Sequence, residues 1–397
     1  VQRPDTLDRI DIKAVLETFR HEPAWLREQR VLWLDRYQRQ GLPRKTDEEW
    51  WGTDLRSMGI HRVPALFGAE DSVALEYDAV PLLEAARKHP DLVRPWLMRS
   101  YPAESTPSLV NLNAALMKCG ALLNVPDGQE SEGRAVIRGG SFPRNVVTVG
   151  RAGRARFIEE YAGEDEAFCN SVTEVFVGEE AEVDVLTLIR PDGMRKTCHR
   201  AVARVAAGGT LRWYIATAGG CFARVDVEAF LDGPEAESYL IGLGVGEGSR
   251  TLDHRTVQNH VAGDSVSRIH FGTLLKGASS SIYRGMIRME EGALRSDAYQ
   301  KNDNLMLEAG PMAKAIPKLE ILTDDVKCSH GSTVGRLSDE DLFYLASRGI
   351  DQSEARLLIA DGFIRKQLLG AGEWTPLAGR MHAYLRKEVL GLDHGEE

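Results

Sequence analysis

Apolar positions in this chain recur with two different periods, and the change of period divides it. Up to about residue 100 the spacing is helical. Trp25, Leu26, Leu32, Trp33 and Tyr37 predict the apolar face of a helix that opens at Pro23 and stops at Gly41 and Pro43. Another short helix is expected over 91–101, broken at Pro102. Between them, residues 45–55 are charged and then aromatic, and read as a surface loop anchored by Trp50 and Trp51.

From about residue 105 the texture becomes short alternating runs between glycines. Val172-Thr173-Glu174-Val175-Phe176-Val177, Leu211-Arg212-Trp213-Tyr214-Ile215 and Ile282-Tyr283-Arg284-Gly285-Met286-Ile287 alternate as strands do. Gly163, Gly178, Gly193 and Gly208 are each 15 residues apart with no glycine between them. The ladder resumes at Gly233, Gly248, Gly263, Gly277 and Gly292. A fixed short period with glycine turns and no intervening helix is a solenoid signature, although antiparallel hairpins can recur at such a spacing. The expected fold is a parallel β-helix in which each unit of about 15 residues forms one side of a flattened coil. Its open ends need caps, and helical segments flank it on both sides.

After residue 336 the helical period returns. Ser338 begins a capping box before Leu342-Phe343-Tyr344-Leu345-Ala346-Ser347-Arg348, with Gly349 as the stop. Asp351 repeats the device ahead of Ala355, Leu358, Ile359, Gly362 and Phe363, and Thr375-Pro376 opens a last helix toward Leu390, with a frayed tail from His394. The predicted organisation is a helical domain over 1–104, a β-helix core over 105–335 and a helical domain over 336–397.

Composition narrows the function classes. Among 397 residues, 43% are hydrophobic and 27% charged, which is ordinary for a globular protein. The net charge of −10 with dispersed basic residues argues against a nucleic-acid partner. The absence of any apolar run near the ~20 residues of a membrane span, with the polar start Val1-Gln2-Arg3, leads to the expectation of a cytoplasmic protein. Five cysteines without a CxxC indicate neither a disulfide framework nor a zinc ribbon.

The chemistry concentrates at Cys328-Ser329-His330, within a segment, 319–335, that reads as a strand. Period 2 places thiol and imidazole on one face. A mononuclear metal site takes about four donors, so this pair is half a site, completed from elsewhere in the chain or by another subunit. The bland alternatives are a buried apolar cysteine and a structural histidine. Cys119, Cys169, Cys198 and Cys221 read as core or turn thiols, and His254, His260 and His270 as separate histidines that stacking could bring together. Asp253-His254 lacks a nucleophile in a recognisable elbow, and Gly242–Gly248 lacks the Gly-Lys-Ser/Thr ending and the following helix of a phosphate loop. No nucleotide site is expected on this chain.

Several stretches resemble the SufB/SufD family of the SUF iron–sulfur cluster assembly system, most closely its SufD branch. They are Asp47-Glu48-Glu49-Trp50 through Leu55, Asn111-Leu112-Asn113-Ala114-Ala115 with Val125-Pro126-Asp127-Gly128, and Asp253-His254-Arg255-Thr256. The most specific is Asp324-Asp325-Val326-Lys327-Cys328-Ser329-His330-Gly331, continuing to Phe343–Ile350. The resemblance implies a right-handed parallel β-helix between helical domains and a non-catalytic subunit that pairs with SufB. It also implies docking of the SufC ATPase on the C-terminal helices, through Leu342, Phe343, Tyr344, Arg348, Gly349, Leu358 and Phe363. Cys328 and His330 would then face a nascent cluster, or its iron, at the SufB junction. Asn302 stands where SufB-type chains carry a cysteine, so the chain resembles the partner and not the principal scaffold. Two rival expectations are a self-sufficient homodimeric cluster carrier and a carbohydrate-active β-helix enzyme, the latter lacking a paired-carboxylate constellation.

Overall fold

The computed structural model describes residues 6–62, 72–163, 168–371 and 374–388. Two strands open the β region, β1 (Ser72–Tyr77) and β2 (Val80–Pro81). The coils then run through β3 (Ala121–Val125), β4 (Glu130–Arg138), β5 (Arg144–Val149), β6 (Arg154–Ala162), β7 (Phe168–Val177) and β8 (Glu182–Ile189). They continue as β9 (Lys196–Val205), β10 (Thr210–Thr217), β11 (Phe222–Leu231), β12 (Glu237–Gly246) and β13 (Thr251–His260). The last are β14 (Val266–Leu275), β15 (Ser280–Met289), β16 (Asp297–Met306), β17 (Met312–Ile321) and β18 (Lys327–Arg336).

Successive strands alternate between two sheets, one ordered β1-β4-β6-β8-β10-β12-β14-β16-β18 and the other β17-β15-β13-β11-β9-β7-β5-β3-β2. From β3 onward every pairing is parallel. This is a parallel β-solenoid of about eight coils, with two strands and two turns per coil. The 15-residue glycine spacing is therefore one side of a flattened coil, as expected. Gly193, Gly208, Gly248 and Gly277 hold left-handed turn conformations.

Stacking in register turns strand alternation into columns. Val185, Trp213, Leu240 and Ile269 lie in neighbouring strands of one column and fill the lumen. Beside it, Gly242 stands next to Phe271. A Cβ on Gly242 would fall 2.2 Å from the Phe271 ring, so glycine is needed there for space and not for backbone conformation. Gly242→Ala is expected to cost about 1–3 kcal/mol in urea unfolding, and Phe271→Leu in the same chain to regain part of it.

Helices cover the two outer faces. α1 (Ile12–Thr18), α2 (Ala24–Gln40), α3 (Leu82–Lys88), α4 (Pro90–Val93) and α5 (Ser108–Leu116) precede the coils. Their apolar side chains share a core with outward residues of one sheet, among them Val146, Phe176, Cys198 and Phe222. In α2 the buried side is Leu26, Trp33, Leu34 and Tyr37, while Leu32 points to solvent. The helix expected over 91–101 shrinks to the single turn of α4, because Pro95 interrupts it. The N-terminal region is also not wholly helical. β1 and β2 pair antiparallel with β4 and β3 and close the first coil.

α6 (Asp339–Ala346), α7 (Gln352–Leu368) and α8 (Pro376–Glu388) follow the coils. Ser338 accepts from the Asp341 N–H, and Asp351 from those of Ser353 and Glu354, as helix caps. The expected continuation of α8 to Leu390 and the frayed tail lie outside the described residues. α7 and α8 bury Ala360, Ile364, Leu368, Met381 and Leu385 against Leu186, Tyr214 and Leu243 on the outer face of the second sheet. These helices thus lie along the flank of the solenoid, because their apolar faces match the outward column there. The last coil is left as an end. No described helix is long and apolar enough to cross a membrane.

Candidate functional site

The donor pair sits on that last coil. The segment 319–335 is not one strand. β17 closes one sheet and β18 the other, with a turn between Ile321 and Lys327. Two outermost strands each leave one hydrogen-bonding edge without a strand neighbour among the described residues, the kind of edge that natural chains protect or pair. Met312, Ile321, Leu322 and Val334 are exposed apolar side chains at this end.

Cys328 and His330 share the lumen-facing side of β18 and end two adjacent columns, in register with Ala298 and Gln300 of β16. Cys328 is half-buried against the lumen core, whereas His330 is exposed. Burial, and then the Asp297 carboxylate, push the Cys328 thiol up to about 11, so it is protonated at neutral pH. A thiol held in this way serves as a metal donor only where a cation lowers its pKa. Among the described residues no group of three or more His, Cys, Asp and Glu side chains could hold a metal ion. Two donors fall short of the roughly four that a mononuclear metal site takes.

The other sequence candidates separate. His254 and His260 are six residues apart on β13, and His270 is on the opposite sheet. His260 bonds Ser265 and Ser267, His254 bonds Thr217, and His270 packs edge-on to Tyr299, so stacking does not assemble the three. Asp253 and His254 face opposite sides of the strand, as neighbouring strand residues must. Asn302, at the position aligned with a SufB cysteine, donates to the Phe271 carbonyl at 3.0 Å and accepts from Asn304 at 2.6 Å, a purely structural amide.

Two of the stretches that carried the resemblance, about 200 residues apart, meet on the outer face of the final coils. Asp253 is wholly buried and pairs with Arg224 at 2.8 Å, with Arg284, and with the Thr53 hydroxyl. Arg224 stacks on Trp50 with 3.7 Å to the ring centroid and donates to the Glu49 carbonyl at 2.9 Å. Arg284 donates to the Trp51 carbonyl, Arg255 pairs with Glu49 at 2.6 Å, and Lys318 of β17 pairs with Glu48. Residues 48–53 are thus a strap across β11, β13, β15 and β17. Of the two tryptophans, only Trp50 is an anchor; Trp51 is 55% exposed beside Lys314. Sequence reasoning missed Arg224 and Arg284, and took Asp253-His254 only as a relay to be rejected.

On the C-terminal helices the seven candidate residues divide by exposure. Phe343, Tyr344 and Leu358 are exposed, at 76%, 58% and 49%, with the Arg348 guanidinium over the Tyr344 ring. Leu342 is buried between α6 and α7, Phe363 is half-buried against the solenoid, and Gly349 is the positive-φ stop after α6. Phe343, Tyr344, Arg348 and Leu358 are thus the exposed side chains among the seven, and Gly349 adds exposed backbone.

What fold and site define together is a parallel β-helix with helical layers on both faces and an unfinished donor pair on an open last coil. Residues 130–363 match the family model described as SUF system FeS cluster assembly, SufBD core domain, and the chain belongs to that family, on its SufD branch. It is 28% identical over 296 residues to the iron–sulfur cluster assembly protein SufD of Bacillus subtilis, a match covering 71% of this chain and 67% of that protein. With SufD of Escherichia coli it shares 34% identity over 145 residues, 36% of this chain and 34% of the relative. A chloroplastic protein of Arabidopsis thaliana, ABCI7, is 28% identical over 228 residues, 56% of this chain and 48% of that one. The matches thus span about two thirds, a third and half of these relatives' own lengths, respectively.

Proposed function

We propose that this chain is a non-catalytic accessory scaffold of iron–sulfur cluster assembly, acting in the cytoplasm. It pairs with a SufB-type chain through the last coil, and a SufC-type ATPase docks on the C-terminal helices. The cluster, or its iron, is cargo held between subunits, with His330 as this chain's donor and Cys328 as a second one once a cation is present. The observation that carries the reading is the last coil, whose outer edge has no strand neighbour among the described residues and which presents a thiol and an exposed imidazole on one face of β18. The exposed Phe343, Tyr344, Arg348 and Leu358 support the ATPase surface. Membership of the SufBD family supports a place in a SUF complex.

Co-expression with SufB-type and SufC-type chains tests the pairing, and anaerobic loading with iron and sulfide tests the site. His330→Ala is expected to leave the three-chain complex intact and to lower retained iron by about tenfold or more. A chain that purifies alone, or a His330→Ala complex that loads like wild type, overturns the reading. A brown homodimer formed without a SufB-type chain would favour the self-sufficient carrier instead.

A further inference from the structure

The column that ends in His330 changes character just before the open end. Trp213, Leu240 and Ile269 are followed in register by Gln300 on β16 and then by His330 on β18. Gln300 is wholly buried, and neither its Oε1 nor its Nε2 has a hydrogen-bond partner. Among the described residues it is the one amide side chain with both ends buried and unpaired. Such a group is costly, and an apolar side chain of the same length would fill the column without the cost.

The opposite wall is built to house this amide. Gly285 on β15 has an ordinary backbone conformation, so glycine is not required there by a turn. A Cβ on it would lie 2.2 Å from the Gln300 Nε2. The sheet has given up a side chain to admit a polar head that bonds nothing in the isolated chain. The Gln300 backbone lies one strand spacing, about 4.8 Å, from that of His330, its register partner on β18.

We propose that Gln300 is a positioning residue for His330. Its Oε1 accepts the imidazole Nδ1–H, directly or through one water, which fixes the tautomer and leaves the Nε2 lone pair aimed out of the coil at the cargo metal. The bond forms when a partner closes over the last coil and excludes bulk water from the imidazole. This inference rests on the reading of His330 as the cargo-facing donor.

The test uses the full chain in its partner complex, with selectively ¹⁵N-labelled histidine, comparing wild type with Gln300→Met and Gln300→Glu. In wild type and Gln300→Glu the His330 ring nitrogens should report a single Nδ1–H tautomer, and in Gln300→Met a mixture. Ferrous iron affinity of the same complexes should fall about 10–100-fold in Gln300→Met and be kept in Gln300→Glu. Thermal stability of the chain without its partner should be unchanged or higher in Gln300→Met, because there the amide that is removed is unpaired. Wild-type tautomer and iron affinity in Gln300→Met would overturn the proposal and leave Gln300 as a structural or water-holding amide. His330→Ala separates the two ideas. If it leaves iron affinity unchanged while the tautomer still follows Gln300, the cargo-facing reading falls and the coupling stands. If His330→Ala abolishes iron binding but Gln300→Met does nothing, only the positioning role falls.

Discussion

Asp253→Ala is expected to lower the unfolding free energy by about 3–5 kcal/mol, enough to put much of a typical domain's stability at risk. Asp253 is fully buried and serves Arg224, Arg284 and the Thr53 hydroxyl at once. Its removal leaves Arg284 with no other carboxylate partner among the described residues, while Arg224 keeps Asp226 at 2.9 Å. The cost is that of a buried cation left behind, which exceeds the net worth of the pair itself. Asp253→Asn should cost less, since an acceptor remains. Urea unfolding followed by circular dichroism reads the stability, and tryptophan fluorescence reads release of Trp50 from under Arg224. A loss below about 1 kcal/mol would show the strap to be a surface feature.

Acidification should act on a similar scale. Burial is the first cause that holds His254 and His260 down to about 4, and His270 as well. An unfolded histidine titrates near 6.5. Between those values the unfolded chain binds more protons than the folded one, so stability is fully present above about pH 6.5 and drains away as pH falls toward 4. Each histidine contributes a slope of about 1.4 kcal/mol per pH unit, so the wholly buried His254 and His260 together give close to 3. Cooperative acid unfolding is therefore expected between pH 6 and 4. His260→Gln should remove about half of the slope due to this pair while losing the bonds to Ser265 and Ser267. Proton uptake on unfolding at pH 5, measured by calorimetry in buffers of different ionisation enthalpy, checks the sign. Equal uptake in wild type and His260→Gln would exclude His260 as a source.

What could be read from the chain alone was what depends on neighbours in sequence. The alternation of Leu211-Arg212-Trp213-Tyr214-Ile215, the left-handed glycines at turns and the caps at Ser338 and Asp351 are local, so the solenoid and α6 and α7 followed from them. The half-site argument was local too, since Cys328 and His330 are two residues apart on one strand. The misreadings came where local pattern is ambiguous. The apolar Leu319 and Ile321 run toward Cys328 with no glycine or proline between, and only sheet pairing separates β17 from β18. Trp50 and Trp51 look alike in sequence, and only the tertiary structure sinks Trp50 into the N-terminal core beneath Arg224.

By itself, then, the sequence determined a parallel coil with helical ends and the placement of Cys328 and His330 on one face of a strand near the end of the coil, because turn geometry and strand period act over a few residues. Tertiary structure alone decided that the C-terminal helices lie along the flank and leave the last coil open, since that depends on which outward column matches their apolar faces. It also decided that Asp253 gathers the Arg224 and Arg284 guanidiniums and the Thr53 hydroxyl, and that Gln300 stands unpaired beside His330 in the stacking register. Stacking register brings such residues together over long separations, and no period along the chain records it.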